Sequence, residues 1–234
     1  MNSDISIDAY NLSKSYPLRD GLLGQISDYR SSVTDVSLQI KKGEVFGLTG
    51  SNGAGKTTLA KMLCTLIAPS TGQATIAGFA LNIENGSKIR RQVGLVVTDD
   101  RSFYWRLTGR QNLAFFAALH GLYGPTAADT ISNKLTDVNL LEHADLRFDR
   151  YSSGMKQRLA IARGLLHQPS ILFLDEPGRS LDQASRQKLH QLIKTLNDQR
   201  QMTIFMISHD QAELEQLCSR VGTMRNGRLT NIVG

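Results

Sequence analysis

Gly50-Ser51-Asn52-Gly53-Ala54-Gly55-Lys56-Thr57-Thr58 is the stretch whose reading decides the fold. It fits the phosphate-binding pattern G-x-x-x-x-G-K-[ST], with Gly50, Gly55, Lys56 and Thr57 in the fixed places. Glycines let successive backbone N–H groups turn inward around phosphate oxygens with no Cβ in the way. Lys56 supplies a point charge for the β- and γ-phosphates, and the Thr57 hydroxyl suits a Mg²⁺ ligand. The flanks agree. Val45-Phe46-Gly47-Leu48 reads as a short apolar strand, and Leu59 to Ile67 as a helix that stops near Pro69. Phosphates would then lie at a helix N-terminus, where the dipole and free N–H groups favour anions. The alternative, a plain glycine-rich turn, is disfavoured by the spacing and by both flanks.

Around this stretch the chain has 234 residues, enough for one large α/β domain or two small ones, and 41% of them are hydrophobic. No apolar run approaches the ~18 residues that span a bilayer. Met1 to Tyr10 carries Asp4 and Asp8 and lacks the apolar segment of a signal peptide. A membrane role is therefore expected to come through a partner. The net charge is +6, from 27 basic and 21 acidic residues. The basic residues are dispersed, which fits a solvated surface better than a nucleic-acid footprint, and no nucleic-acid partner is expected. Cys64 and Cys218 have no neighbouring His or Cys at metal spacing and read as plain thiols of a reducing compartment.

The remaining pattern is α/β. Ile5 to Tyr10 and Val33 to Ile40 alternate as half-buried strands. Arg19 to Ser32 reads as a charged insertion, with Leu22, Leu23 and Ile26 on one helical face. Lys41-Lys42-Gly43-Glu44 reads as a hairpin-like turn. Gln73 to Ala77 is a short strand, and Ile89 to Val97 a helix end followed by a strand. From Phe103 to Leu166 the pattern is helical, with Leu107, Leu113, Phe116 and Leu119 as core candidates and a break at Gly121 to Pro125. Ile171-Leu172-Phe173-Leu174 and Thr203 to Ile207 are buried parallel strands. Ser185 to Leu196 and Glu213 to Leu217 are helices, and Val221 to Met224 with Leu229 to Val233 close a hairpin around Asn226-Gly227. Strands alternating with helices imply a mainly parallel α/β core.

The second half of a site follows from the strand ends, where open α/β sheets bind ligands. Asp175 and Glu176 end the first buried strand. Asp175 faces the crevice of the phosphate loop as a Mg²⁺ holder, and Glu176 is placed to polarise an attacking water. His209, just past the second buried strand, is placed to contact a γ-phosphate.

With these residues in order, the chain resembles the ATP-binding subunit of an ABC transporter over essentially its whole length. Tyr151-Ser152-Ser153-Gly154-Met155-Lys156-Gln157-Arg158 stands where that family has its LSGGQ signature. Ser180-Leu181-Asp182 stands as its D-loop, His209 as its switch histidine, and Tyr16 where an aromatic stacks on adenine. The resemblance implies a P-loop NTPase core with a mainly parallel sheet. An antiparallel β part (about 5–48, with the 19–32 insertion) and a helical subdomain (about 100–165) would complete a single domain. It implies ATP and Mg²⁺ as ligands. Gly50 to Thr58 and Tyr16 would hold the nucleotide, and Ser152, Ser153 and Gly154 of a second copy would close on it. Lys56, Glu176 and His209 would carry the catalysis. A homodimer would serve a separate multi-span permease at the cytoplasmic face of a membrane.

Several positions depart from that family. Tyr151, Ser153 and Met155 replace Leu, Gly and Gln of the signature. The glutamine that reaches the metal falls on Thr98, followed by Asp99-Asp100. Gly178-Arg179 replaces a small polar pair. The signature and the insertion resemble exporters of polysaccharide, lipid or drug. Two other functions stay open: a soluble ATPase acting on ribosomes or nucleic acid, and a regulatory module with little turnover. Phe103-Tyr104-Trp105, three aromatics beside charged residues, read either as a permease interface or as a subdomain core.

Overall fold

The computed structural model describes residues 4–20, 25–97 and 102–234. The chain opens with two long strands, β1 (Ile5–Asp20) and β2 (Gln25–Lys41), paired antiparallel. Their register slips repeatedly, with Asn11 and Asp35 at positive φ where one strand gains a residue on the other. Such bulges increase the twist and re-aim side chains. β4 (Thr71–Ile76) and β5 (Phe79–Ala80) extend this sheet in the order β2-β1-β4-β5.

The second sheet has six strands. Around β3 (Val45–Gly50) stand β6 (Val93–Val97), β7 (Ile171–Asp175), β8 (Thr203–Ile207) and the hairpin β9 (Arg220–Arg225) and β10 (Arg228–Val233). The order is β10-β9-β3-β8-β7-β6, and all neighbours run parallel except β10. Alternation along β7 and β8 explains the layering. Ile171, Phe173, Phe205 and Ile207 enter a core shared with the antiparallel sheet and α1 (Lys56–Leu63). Leu172, Leu174, Ile204 and Met206 enter a second core on the opposite face. Successive side chains point to opposite faces, so a strand covered on both sides reads as one unbroken apolar run.

That second core is roofed by helices. α2 (Gly86–Gln92) leads into β6, and α3 (Gly109–Leu119), α4 (Gly124–Asp137) and α5 (Ser153–Gly164) follow. Thr108 and Gln111 form a reciprocal capping box at the start of α3. Pro125 opens the first turn of α4, where its missing N–H costs nothing. Leu113, Leu135, Phe148 and Leu159 are fully buried beneath them. α6 (Gln183–Arg200) and α7 (Gln211–Leu217) complete the layer. Among the described residues no helix is long and apolar enough to cross a membrane.

Four local expectations are corrected. Within Arg19 to Ser32 the helical face fails for Ile26, which pairs with Arg19 as the ladder of β1 and β2 runs outward through Tyr16↔Arg30 and Leu18↔Asp28. Cross-strand bonds satisfy the backbone there without a helix; Leu22 and Leu23 lie outside the described residues. Lys41 to Glu44 does not close a hairpin, because β2 and β3 belong to different sheets. α1 ends at Leu63 rather than Ile67, where Thr65 enters the left-handed region at φ 61. Leu119 is 69% exposed, because the last turn of α3 has run past the core.

Candidate functional site

β3 delivers the chain to the glycine-rich loop, and α1 leaves it. Gly55 caps α1 at φ 100, and no side chain closes that helix end. The first N–H groups of α1 thus remain directed outward as donors. A Cβ on Gly55 would meet the Ser32 carbonyl oxygen at 2.2 Å, so the outer hairpin lies directly on the loop. The Ser32 hydroxyl donates to Thr58 Oγ1 at 3.0 Å, fixing that contact. Lys56 is buried, and its ammonium bends back to the Gly50 and Ser51 carbonyls at 2.8 and 3.1 Å. This holds the charge over the hollow of the loop.

The ends of β7 and β8 supply the opposite wall. The Thr57 hydroxyl donates to Asp175 Oδ2 at 3.1 Å. Burial raises the Asp175 carboxyl above its usual range, and the Thr57 hydrogen bond opposes that shift. Glu176 adopts φ 54, an uncommon left-handed conformation for a non-glycine residue, and its N–H bonds Ile207 across the sheet at 2.9 Å. The turn brings Glu176 Oε2 within 2.6 Å of His209 Nδ1. Asp175, Glu176 and His209 share one cavity of about 730 Å³ with the whole loop from Gly50 to Thr58.

Not every expected residue reaches this cavity. Tyr16 stands on the outer hairpin, one rung from the Ser15↔Ser31 pair, with the Lys14 amino group 5.3 Å from its ring centre. It is 38% exposed and is not among the cavity walls. Ser152, Ser153 and Gly154 are also elsewhere, at the start of α5. Ser152 caps that helix by accepting the Met155 N–H at 3.2 Å. Gly154 packs so closely on α6 that a Cβ there would lie 2.6 Å from Ser185 Oγ. Thr98, Asp99 and Asp100 lie outside the described residues.

Three cavity residues, Ser32, Val97 and Arg179, escaped the sequence reading as ligand contacts. Ser32 carried no signal, since only the register of the hairpin sets it on the loop. Arg179 appeared only as a departure from a family pattern, yet it lines the cavity beside Glu176.

The aromatic trio divides. Phe103 is buried and stacks on Phe148 at 4.7 Å between ring centres. Tyr104 and Trp105 are each 48% exposed, and Lys156 lies 4.2 Å over the indole. Tyr104 meets the half-exposed Phe115 edge to face. The core reading therefore holds for Phe103 alone.

Comparison with known proteins places these features. A family model described as "ABC transporter" matches residues 33–179. The bacitracin transport ATP-binding protein BcrA of Bacillus licheniformis is 40% identical over 86% of this chain and 64% of its own length. NatA of Bacillus subtilis, an ABC transporter ATP-binding protein, is 35% identical over 85% of this chain and 80% of its own. The linearmycin resistance ATP-binding protein LnrL of the same species is 34% identical over 87% of this chain and 64% of its own. The chain thus spans somewhat under two thirds of BcrA and LnrL. Among solved structures, the dimeric ATP-binding cassette MJ0796 with ADP and Pi superposes with a TM-score of 0.83 at 25% identity, over 97% of each chain. CbiO1 of Clostridium perfringens, part of the ABC transporter complex cbiONQ, superposes with a TM-score of 0.86 at 25% identity, over 98% of this chain and 88% of its own.

Proposed function

The chain belongs to the ABC transporter family as one of its ATP-binding domains, and from that premise we propose that it binds and hydrolyses ATP to drive a separate membrane permease. The observation that carries the reading is the meeting of Thr57 with Asp175, and of Glu176 with His209, beside a free helix N-terminus in one cavity. The N–H groups of the loop and of α1 receive the phosphates, and Lys56 reaches the β- and γ-phosphate oxygens. Glu176 orients a water on the γ-phosphorus and takes its proton. The new water–phosphorus bond replaces the bond to the β-phosphate oxygen, giving ADP and phosphate. His209 holds the Glu176 carboxylate and contacts the γ-phosphate.

A divalent cation fits this donor set. Thr57 Oγ1 and Asp175 Oδ2 already converge, and the burial that disfavours the Asp175 anion is what a cation would offset. Thr57 and Asp175 would hold Mg²⁺, with Thr98 as a third candidate. When bound it neutralises charge on the β- and γ-phosphate oxygens.

A second copy completes the site. Ser152, Ser153 and Gly154 begin α5 outside the walls of their own cavity, which suits service to the nucleotide of a head-to-tail partner, as twofold pairing allows. The dimeric state described for MJ0796 supports this reading. A permease would engage Tyr104 and Trp105, the exposed aromatics on the helical side. That docking would hold the subunit at the cytoplasmic face of the membrane. The bacitracin and linearmycin relatives favour an exporter of antibiotic-like compounds.

The test is phosphate release by the purified chain with Mg²⁺ and ATP. The expected result is steady turnover that falls roughly 10²- to 10⁴-fold in Glu176→Gln while nucleotide binding persists. Unchanged turnover in that variant would remove Glu176 as the base. Trp105→Ala is expected to keep this ATPase activity and to lose co-purification with the permease. Joint loss of fold and activity would return Trp105 to the core.

A further inference from the structure

One buried carboxylate near the site has no part in the reaction as described. Glu213, in the first turn of α7, is 4% exposed. A buried carboxylate is costly unless its oxygens are satisfied, and here both are. Oε2 accepts the Ser208 hydroxyl at 2.6 Å, and Oε1 faces His190 Nε2 of α6 at 3.1 Å. His190 is anchored in turn by the Gln216 side-chain amide at 3.0 Å from Nδ1. Ser208 is 1% exposed and immediately precedes His209. Its hydroxyl oxygen also receives the Asp210 N–H at 3.1 Å, and Asp210 is tied to Arg186 of α6 at 2.7 Å.

The same carboxylate supports the other strand end. A Cβ built on Gly178 would fall 2.4 Å from Glu213 Oε1. Backbone therefore rests against the carboxylate two residues past Glu176. No larger residue fits at 178 while Glu213 keeps its place. Glu213 thus lies beneath two loops at once, the one after β7 that carries Glu176 and the one after β8 that carries His209.

We infer that Glu213 is a positioning residue for phosphoryl transfer, holding His209 and Glu176 at their 2.6 Å separation through Ser208 and through the backbone of Gly178. The inference rests on the proposed ATPase reading. It makes the pairing of the two catalytic side chains a property of a network reaching into α6 and α7, and not of the two loops alone. Misplacement of reacting groups by about 1 Å costs up to 10²-fold in rate, so loosening this network lowers turnover with little effect on ATP binding.

The experiment compares Glu213→Gln with the wild-type chain, measuring kcat, nucleotide affinity and thermal unfolding. Glutamine keeps the shape but replaces one acceptor oxygen by an NH2 donor, so Ser208 or His190 must switch from donor to acceptor and the network is rearranged. The expected result is a kcat at least about tenfold lower with nucleotide affinity unchanged. In a His209→Ala background the same substitution is expected to cause little further loss, since coupled residues are non-additive. Gly178→Ala, which crowds the carboxylate from the other side, is expected to reproduce the kcat loss. A Glu213→Ala/Gly178→Ala double variant relieves that crowding and is expected to be no slower than Glu213→Ala. Wild-type kcat in Glu213→Gln overturns the inference, as do additive losses with His209→Ala or parallel falls in affinity and melting temperature. Absence of turnover in the wild-type chain would instead sink the ATPase reading.

Discussion

α1 and α5 both begin at a point where the proposed function places phosphate, yet their first turns are built differently. At α1 the cap is Gly55, with no side chain over the helix end. At α5 the cap is Ser152, whose hydroxyl oxygen already accepts the Met155 N–H. An uncapped end beside a glycine-rich loop and a buried lysine offers free N–H donors and positive charge to an anion within one chain. A capped end on the surface is a stable helix start that offers a hydroxyl and a few amides to something else. The difference teaches that the two ends have unequal tasks. On the proposed reading, one binds in the monomer, and the other contributes only when a second copy brings it to the phosphates.

The largest effect expected from this contrast is at α1. Lys56→Ala removes the cation that neutralises the phosphates, and both nucleotide affinity and turnover should collapse, as read by fluorescent-nucleotide titration and phosphate release. Retained affinity would mean that the backbone alone carries the anion. Ser152→Ala should behave differently. It should leave the monomer's nucleotide affinity intact, lower fold stability by about 1 kcal/mol through loss of the cap, and weaken ATP-dependent dimerisation on a sizing column. If it lowered monomer affinity as Lys56→Ala does, the contrast between the two ends would break.

A smaller effect is expected at Tyr16. The ring lies outside the phosphate cavity, on a hairpin pinned to the loop by Ser32. Stacking on a base is worth on the order of 1–3 kcal/mol. Tyr16→Ala should therefore raise the Michaelis constant for ATP several-fold with kcat unchanged, and Tyr16→Trp should not. Equal effects would mean that the hairpin carries the ring away from the base.

The smallest effect concerns the far end of α5. Burial lowers the His167 imidazole below its usual value, the Val93 carbonyl opposes this, and the stacked His120 ring, 4.4 Å away, reinforces it. Burial also lowers the His120 imidazole below its usual value, so both rings act in the same direction. The unfolded chain takes up this proton near pH 6.5, whereas the folded chain resists it until a lower pH. Stability is therefore full above about pH 6.5 and declines as the pH falls from there toward the lower folded-state value. Thermal unfolding should show a slope that flattens in His167→Asn. An identical slope in both proteins would assign it to other groups.

Much of the site was legible because it is local in sequence. Gly50 to Thr58 needs only its own glycines, lysine and threonine, and the apolar runs before Asp175 and His209 announce buried strands whose ends meet at one cavity. The doubly buried strands were legible too, because cover on both faces leaves no polar alternation. The outer hairpin misled, since its charged residues and glycines fit an insertion equally well. Only the ladder from Tyr16↔Arg30 onward makes it a sheet edge.

What the sequence determined by itself was the glycine-rich loop between strand and helix, the acidic and histidine strand ends, and the alternation of strands and helices, because short-range spacing carries them. What the tertiary structure alone decided was which distant groups meet. Ser32 reaches Thr58 across 26 residues. Thr57 reaches Asp175 across 118. Glu213 reaches the backbone of Gly178 and the hydroxyl of Ser208 at once. No periodicity records such meetings, since they depend on strand order in two sheets and on the packing of α6 and α7 against the strand ends.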